Sequence, residues 1–238
     1  MFENLLNRQE YDANAKTISS EFFRNVYSYM FAALGISGAI AYMCGTPEFV
    51  MKYFITNGGL TGLFYLVVFA PVGLGLLIQM AYNRLSLPVL LLLFGGYSAL
   101  MGLSLSTIFL VYDIASIYTT FLVTAGAFAG MAILGYTTKT DLTKFGSLLY
   151  MVFIGMIIAT IVNIFMKSDT MDFVVSVLGV FVFTGLTAYQ MQQLKHISND
   201  PNLQGVERNK LALIGGLMLY ILFINLFLSL LRLLGNRD

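Results

Sequence analysis

Residues 172–195 read DFVVSVLGVFVFTGLTAYQMQQLK, and residues 209–235 read NKLALIGGLMLYILFINLFLSLLRLLG, with a polar bend between them. Each holds an apolar run long enough to cross a bilayer, since roughly 20 helical residues span about 30 Å of hydrocarbon. The polar side chains in these runs are few and grouped. Thr184, Thr187 and Gln190 recur at steps of three. Asn225, Ser229 and Arg232 recur at steps of four and three. Each set therefore shares one helix face. If the two faces meet, they make a polar seam, either as interhelical hydrogen bonds worth about 0.6 kcal/mol each or as the lining of a path.

The rest of the chain extends this pattern. Of 238 residues, 58% are hydrophobic and 11% charged, whereas a soluble domain carries about 25% charged residues. There is too little polar surface to cover a water-soluble globule. The sequence predicts an all-α membrane bundle of seven spans, near 22–43, 60–82, 88–112, 114–135, 147–166, 173–193 and 211–234. A tail over 1–21 precedes them and a short one over 235–238 follows. The first 21 residues are polar and mixed in charge, unlike a cleaved signal peptide. The first span serves as the targeting signal in this reading.

Several local features carry expectations. Pro47 and Gly58-Gly59 read as breakers in a loop over 44–59. Pro71 sits inside the second span, so the carbonyl of Val67 loses its helical donor and a kink is expected. Pro88 suits the first turn of the third span. Gly35, Ser37, Gly38 and Ala39, and the pair Gly126 and Gly130, read as close-approach faces, the latter within the monomer. Gly135 reads as the end of the fourth span, and Thr140 or Asp141 as the cap of the next helix.

Basic residues set the orientation. With the N-terminus cytoplasmic, Arg8, Lys16, Arg24, Arg84, Lys139, Lys144, Lys195, Arg208 and Lys210 fall inside. Lys52 and Lys167 fall outside, as do Arg232 and Arg237 if all seven spans cross. This favours N-inside by the positive-inside rule. Arg232 and Arg237 fit poorly, so the last span is unusual or the tail is an exception. A plasma (inner) membrane of a bacterium is the expected location.

No catalytic motif is present: no G-x-S-x-G, Walker A, H-E-x-x-H or complete G-x-G-x-x-G. The single Cys44 and single His196 exclude a Cys/His zinc site, and a net charge of +1 gives no electrostatic case for nucleic acid. We expect no enzyme activity, no cofactor and no metal site. No Asp, Glu or His lies mid-span. Proton- and ion-coupled machines usually keep such a group, despite a cost of at least about 2.5 kcal/mol. Gln79, Asn163, Gln190 and Asn225 are the uncharged polar groups that remain.

Five strings resemble the Bax-inhibitor family: ALMGLSLSTIF (99–109), GYTTKTDLTKFG (135–146), IVNIF (161–165), FTGLTAYQMQQLK (183–195) and LYILFINLFLSLLRLLG (219–235). They follow the family's order over the C-terminal two-thirds. The resemblance implies a seven-helix fold with the last helix central. It also implies the family's proposed pH-sensitive calcium leak, and a theme of cytoprotection or control of membrane-protein quality. The loop residues Thr137, Thr138, Lys139 and Asp141 carry the family motif.

Two positions depart from the pattern. Conducting members of the family carry an aspartate in the T-A-Y-D segment, where this chain has Gln190, and another before F-I-N-L-F, where it has Leu222. A close carboxylate pair can share a proton and titrate near neutrality; glutamine and leucine cannot. Arg84 matches the region of an arginine thought to pair with that gate. The candidate pore set is thus Gln190, Leu222, Asn225 and Arg84, with Thr184, Thr187, Ser229 and Arg232 as the polar seam. The first reading is a passive calcium or cation leak without the aspartate pH sensor. The alternative is a non-conducting regulator of a membrane protease or another membrane complex. A solute transporter ranks third, since no inverted repeat is visible.

Overall fold

The computed structural model describes the backbone of residues 2–56 and 59–236, and side chains from residue 17 onward within those limits. The side chains of Arg8 and Lys16, together with Gly58 and Arg237, lie outside the described residues. The elements run α1 (Phe2–Cys44), α2 (Pro47–Tyr53), β1 (Ile55–Thr56), β2 (Gly59–Leu60), α3 (Gly62–Ala81) and α4 (Leu87–Leu105). A 3₁₀ turn (Ser106–Leu110) follows, then α5 (Ile114–Thr137), α6 (Thr143–Met166), α7 (Asp169–Ser198) and α8 (Gly205–Leu234). Seven of these helices are long and apolar enough to cross a membrane. The helix of the first span starts before Phe22.

Local chemistry explains the boundaries. Thr46 caps α2 through the Phe49 amide, and Pro47 fills its first turn, so this proline starts a helix instead of only breaking one. β1 and β2 form a two-residue antiparallel pair in the stretch expected to be loop. Thr61, Asp113 and Ser168 cap α3, α5 and α7 by accepting amide protons with their side chains. α6 ends on Lys167 at φ 50°, a left-handed residue whose amide bonds to the Asn163 carbonyl. Asn163 Oδ1 also accepts the Ser168 amide at 2.9 Å. Asn163 is thus a helix-end cap and not a polar group within the span.

The helix α3 continues through Pro71, and the orphaned Val67 carbonyl does not stay empty. Ser104 Oγ donates to it at 2.6 Å from α4. A neighbouring hydroxyl supplies the bond that the proline removes, as lipid cannot.

The core is built around α8. In the apolar window of α8, 67% of residues are buried, against 50% for α7 and 6% for α6. α8 packs on α1, α4, α5 and α7, while α3 and α6 pack outside α4 and α7. The last helix is therefore central, as the resemblance implies. It also runs the full length of the bundle. Two residues beyond its end, Asn236 donates its amide to Ser116 Oγ at 3.1 Å, and the Asn236 carbonyl accepts from the Asp113 amide at 3.4 Å, at the start of α5. At the other end of the bundle, the Ser19 and Ser198 hydroxyls lie 2.9 Å apart. Arg232 lies exposed in the last turn of α8, where a cation suits the helix dipole.

Three small-residue expectations need correction. Gly126 and Gly130 are exposed, and a Cβ at either would meet nothing within 4 Å. They face away from the bundle. Of the four small residues expected to form a face of the first span, only Ser37 is buried, against Gly102 of α4, while Gly35, Gly38 and Ala39 are exposed. Gly135 does not end its helix, because α5 runs on to Thr137. Its missing Cβ instead lets α5 touch the α7 backbone at Ala188.

Candidate functional site

The contact between α7 and α8 places the polar seam. Gly179 lies against Ser229, and Leu194 against Gly215, which fixes an antiparallel register. In that register Leu222 is about level with Thr187. Gln190 sits about one turn, roughly 5 Å, nearer the α7–α8 bend. Leu222 is buried and Gln190 is half-buried. No hydrogen bond to the Gln190 side chain occurs among the described residues.

Apart from the exposed Arg232, the remaining seam groups are satisfied within their own helices. Thr184 Oγ1 donates to the Val180 carbonyl at 2.6 Å and Thr187 Oγ1 to that of Phe183 at 2.7 Å. Asn225 Nδ2 donates to the Ile221 carbonyl at 2.8 Å, and Ser229 Oγ to the Asn225 carbonyl at 2.8 Å. Such back-bonding to the preceding turn hides a polar group in a membrane helix without a partner helix. Ser229 is the member of the α8 set that touches α7, through Gly179.

Arg84 is not brought to the seam. It is exposed in the turn between α3 and α4, and no side-chain hydrogen bond or ion pair involves it among the described residues. Nor do three or more His, Cys, Asp or Glu side chains converge anywhere among those residues.

The family-motif loop between α5 and α6 is where cross-helix polar bonding concentrates. Gln192, a buried side chain on α7, holds it with both ends of its amide. Its Oε1 accepts the Leu142 amide and its Nε2 donates to the Thr140 carbonyl, both at 2.8 Å. Lys195 Nζ donates to the Tyr136 carbonyl at 2.8 Å and lies 5.1 Å from that tyrosine's ring centre. Within the loop, Thr138 Oγ1 accepts the Thr140 amide and Asp141 Oδ1 the Thr143 amide. The position before the helix is Leu142, so Asp141 serves α6 from one residue further back than expected. The Thr143 hydroxyl, then its amide, hold the Asp141 carboxyl below the usual carboxylate range, and His196 and Lys144 add to this. Thr137 turns its hydroxyl to the Ile133 carbonyl, and Lys139 is exposed.

Sequence reasoning missed Gln192. A signal existed: Gln192 lies four residues after Ala188 and seven after Gly185, on the face where α5 and α6 come closest.

The chain matches the family model described as inhibitor of apoptosis-promoting Bax1 over residues 19–238. It is 41% identical over 218 residues to the inner membrane protein YbhL of Escherichia coli K12, covering 91% of this chain and 92% of that one. It is also 41% identical over 224 residues to an uncharacterized protein of Borreliella burgdorferi (92% and 94% covered). With the uncharacterized protein RP147 of Rickettsia prowazekii it shares 38% identity over 212 residues (89% and 88%). The matches extend over the early spans that the five strings leave out. The central last helix, the clasped motif loop and these matches agree, and the chain is a multi-pass membrane protein of the Bax-inhibitor family.

Proposed function

We propose that this protein is a passive leak for calcium or another cation in the bacterial inner membrane, with its N-terminus in the cytoplasm and without gating by acid. The family's proposed activity supports the leak. The name of the Escherichia coli relative supports the location. The observation that carries the missing gate is the α7–α8 contact itself. By the register of that contact Gln190 and Leu222 stand within about one turn in level along the two most buried helices, and neither can titrate. No catalytic step is proposed.

Purified protein in calcium-loaded vesicles, assayed from about pH 5 to 8, tests this. The expected outcome is a flux with no steep acid transition. A sharp change between about pH 6 and 7 would count against it. The double variant Gln190→Asp with Leu222→Asp should introduce acid dependence, since two close carboxylates share a proton.

One observation favours a second reading, a non-conducting regulator of a membrane protease or other membrane complex. Thr184, Thr187, Asn225 and Ser229 spend their protons on their own helices, and together with Gln190 and Leu222 they bring no carboxylate to the seam. Calcium takes six to eight oxygens, carboxylates among them. Zero flux in the same vesicles selects this reading.

A further inference from the structure

We propose that the groove between α1 and α5 binds one anionic phospholipid, with its phosphate at a hydroxyl rim and one acyl chain along an apolar wall. The proposal does not depend on ion conduction. The groove has a volume of about 660 Å³, within the range of about 300–1,000 Å³ typical of ligand sites. Phe23, Tyr27, Ile133 and Met191 form its wall, and Ser20 and Thr137 its rim. Its mouth faces sideways: Ile133 and Tyr136 line it and are 63% and 40% exposed. In a bilayer that mouth meets lipid. The groove sits where α1 begins its apolar run and α5 ends, so the rim is at the depth of headgroups.

Charge selects the headgroup. Lys195 stands behind Tyr136 with one of its three ammonium donors committed to the Tyr136 carbonyl. Arg24 lies beside Ser20 in an adjoining hollow, paired with Glu21 at 3.3 Å. That pair is exposed and weak, so a phosphate can compete for the guanidinium. Lys139, Lys144, Arg208 and Lys210 lie at the same end of the bundle. One group within the wall also lacks a good partner. Among the described residues the Tyr27 hydroxyl reaches only Met191 Sδ, at 3.6 Å, and a thioether is a weak acceptor. An ester or phosphate oxygen entering the groove would serve it better.

Native mass spectrometry of the full chain in detergent tests this, with phosphatidylglycerol, phosphatidylethanolamine and inorganic phosphate as probes. One phosphatidylglycerol should be retained in preference to phosphatidylethanolamine, and inorganic phosphate should not displace it. Lys195→Met should weaken retention about fivefold, the loss expected for one lysine at an anionic surface. Ser20→Phe, at an exposed position in the mouth, should abolish retention with the thermal transition unchanged. Tyr27→Phe removes only the hydroxyl and should weaken retention, again with an unchanged transition. Equal retention of the two lipids, or displacement by phosphate alone, overturns the proposal. So does undiminished binding in folded Ser20→Phe and Tyr27→Phe proteins.

Discussion

Gln192 and Asp141 show what single side chains do at the α5–α6 loop. Replacing Gln192 with Leu keeps the bulk but leaves the Leu142 amide and the Thr140 carbonyl without their partner. A buried group stripped of its hydrogen bond costs about 1–3 kcal/mol. Gln192→Leu should therefore lower the thermal transition in detergent and speed amide exchange over 136–146. Gln192→Glu should do less to the Leu142 amide, since its carboxylate still accepts. Asp141 predicts a pH effect at the same place. Its folded value is held below the ordinary 3.8 by Thr143, so the charged form stabilises the loop. That contribution is complete above the unfolded value and disappears as pH falls through the lowered one. Exchange over 136–146, corrected for intrinsic rates, should be flat down to about pH 5 and rise only below about pH 4. The sequence marked this loop by family resemblance and named Asp141. It did not reveal Gln192, because three glutamine positions crowd one helix end and only the packing of α5 and α6 says which one points inward.

At the scale of elements, two helix contacts are open to direct test. Gly135 lies on the Ala188 backbone, where a Cβ has no room. Gly135→Val should separate α5 from α7 and lower the yield of folded protein, while Gly130→Val, on an open face, should leave the transition within about 0.5 kcal/mol. The spacing alone gave opposite roles: Gly126 and Gly130 carry the close-approach pattern and face outward, whereas Gly135 looks like a terminator and is the true contact. A four-residue spacing names a face but not its direction. The second contact is Ser104 on the Val67 carbonyl. Ser104→Ala should cost about 0.6–1.7 kcal/mol, the range for such bonds in membranes. In a Pro71→Ala background residue 71 regains an amide for Val67, so the cost of Ser104→Ala should shrink. Additive effects in that double-mutant cycle would rule out the compensation. Pro71 was legible in the sequence; its partner, 33 residues further along the chain, was not, because it comes from tertiary packing.

The whole molecule has one large-scale regularity, its odd number of crossings around α8. Seven apolar runs were readable from hydropathy, and the central position of the last followed from family resemblance. Geometry narrows the difficulty posed by Arg232: α8 runs the length of the bundle, from the Ser19–Ser198 end to Leu234, just short of the Asn236–Asp113 contact, so a last span that stops part-way is not what the fold builds. In a Cys44→Ala background, single cysteines at Lys139 and Asn236 should react with a membrane-impermeant thiol reagent from opposite sides of sealed vesicles. Labelling of both from one side would refute the full crossing. This has a bearing on how such a chain could be duplicated or rewired. Two copies joined head to tail would enter the membrane inverted relative to each other, making an antiparallel pair from one repeated sequence. Joining the two ends of a single copy, as in a circular permutant, would need either one more helix or the loss of one, since no loop can carry the chain back through hydrocarbon.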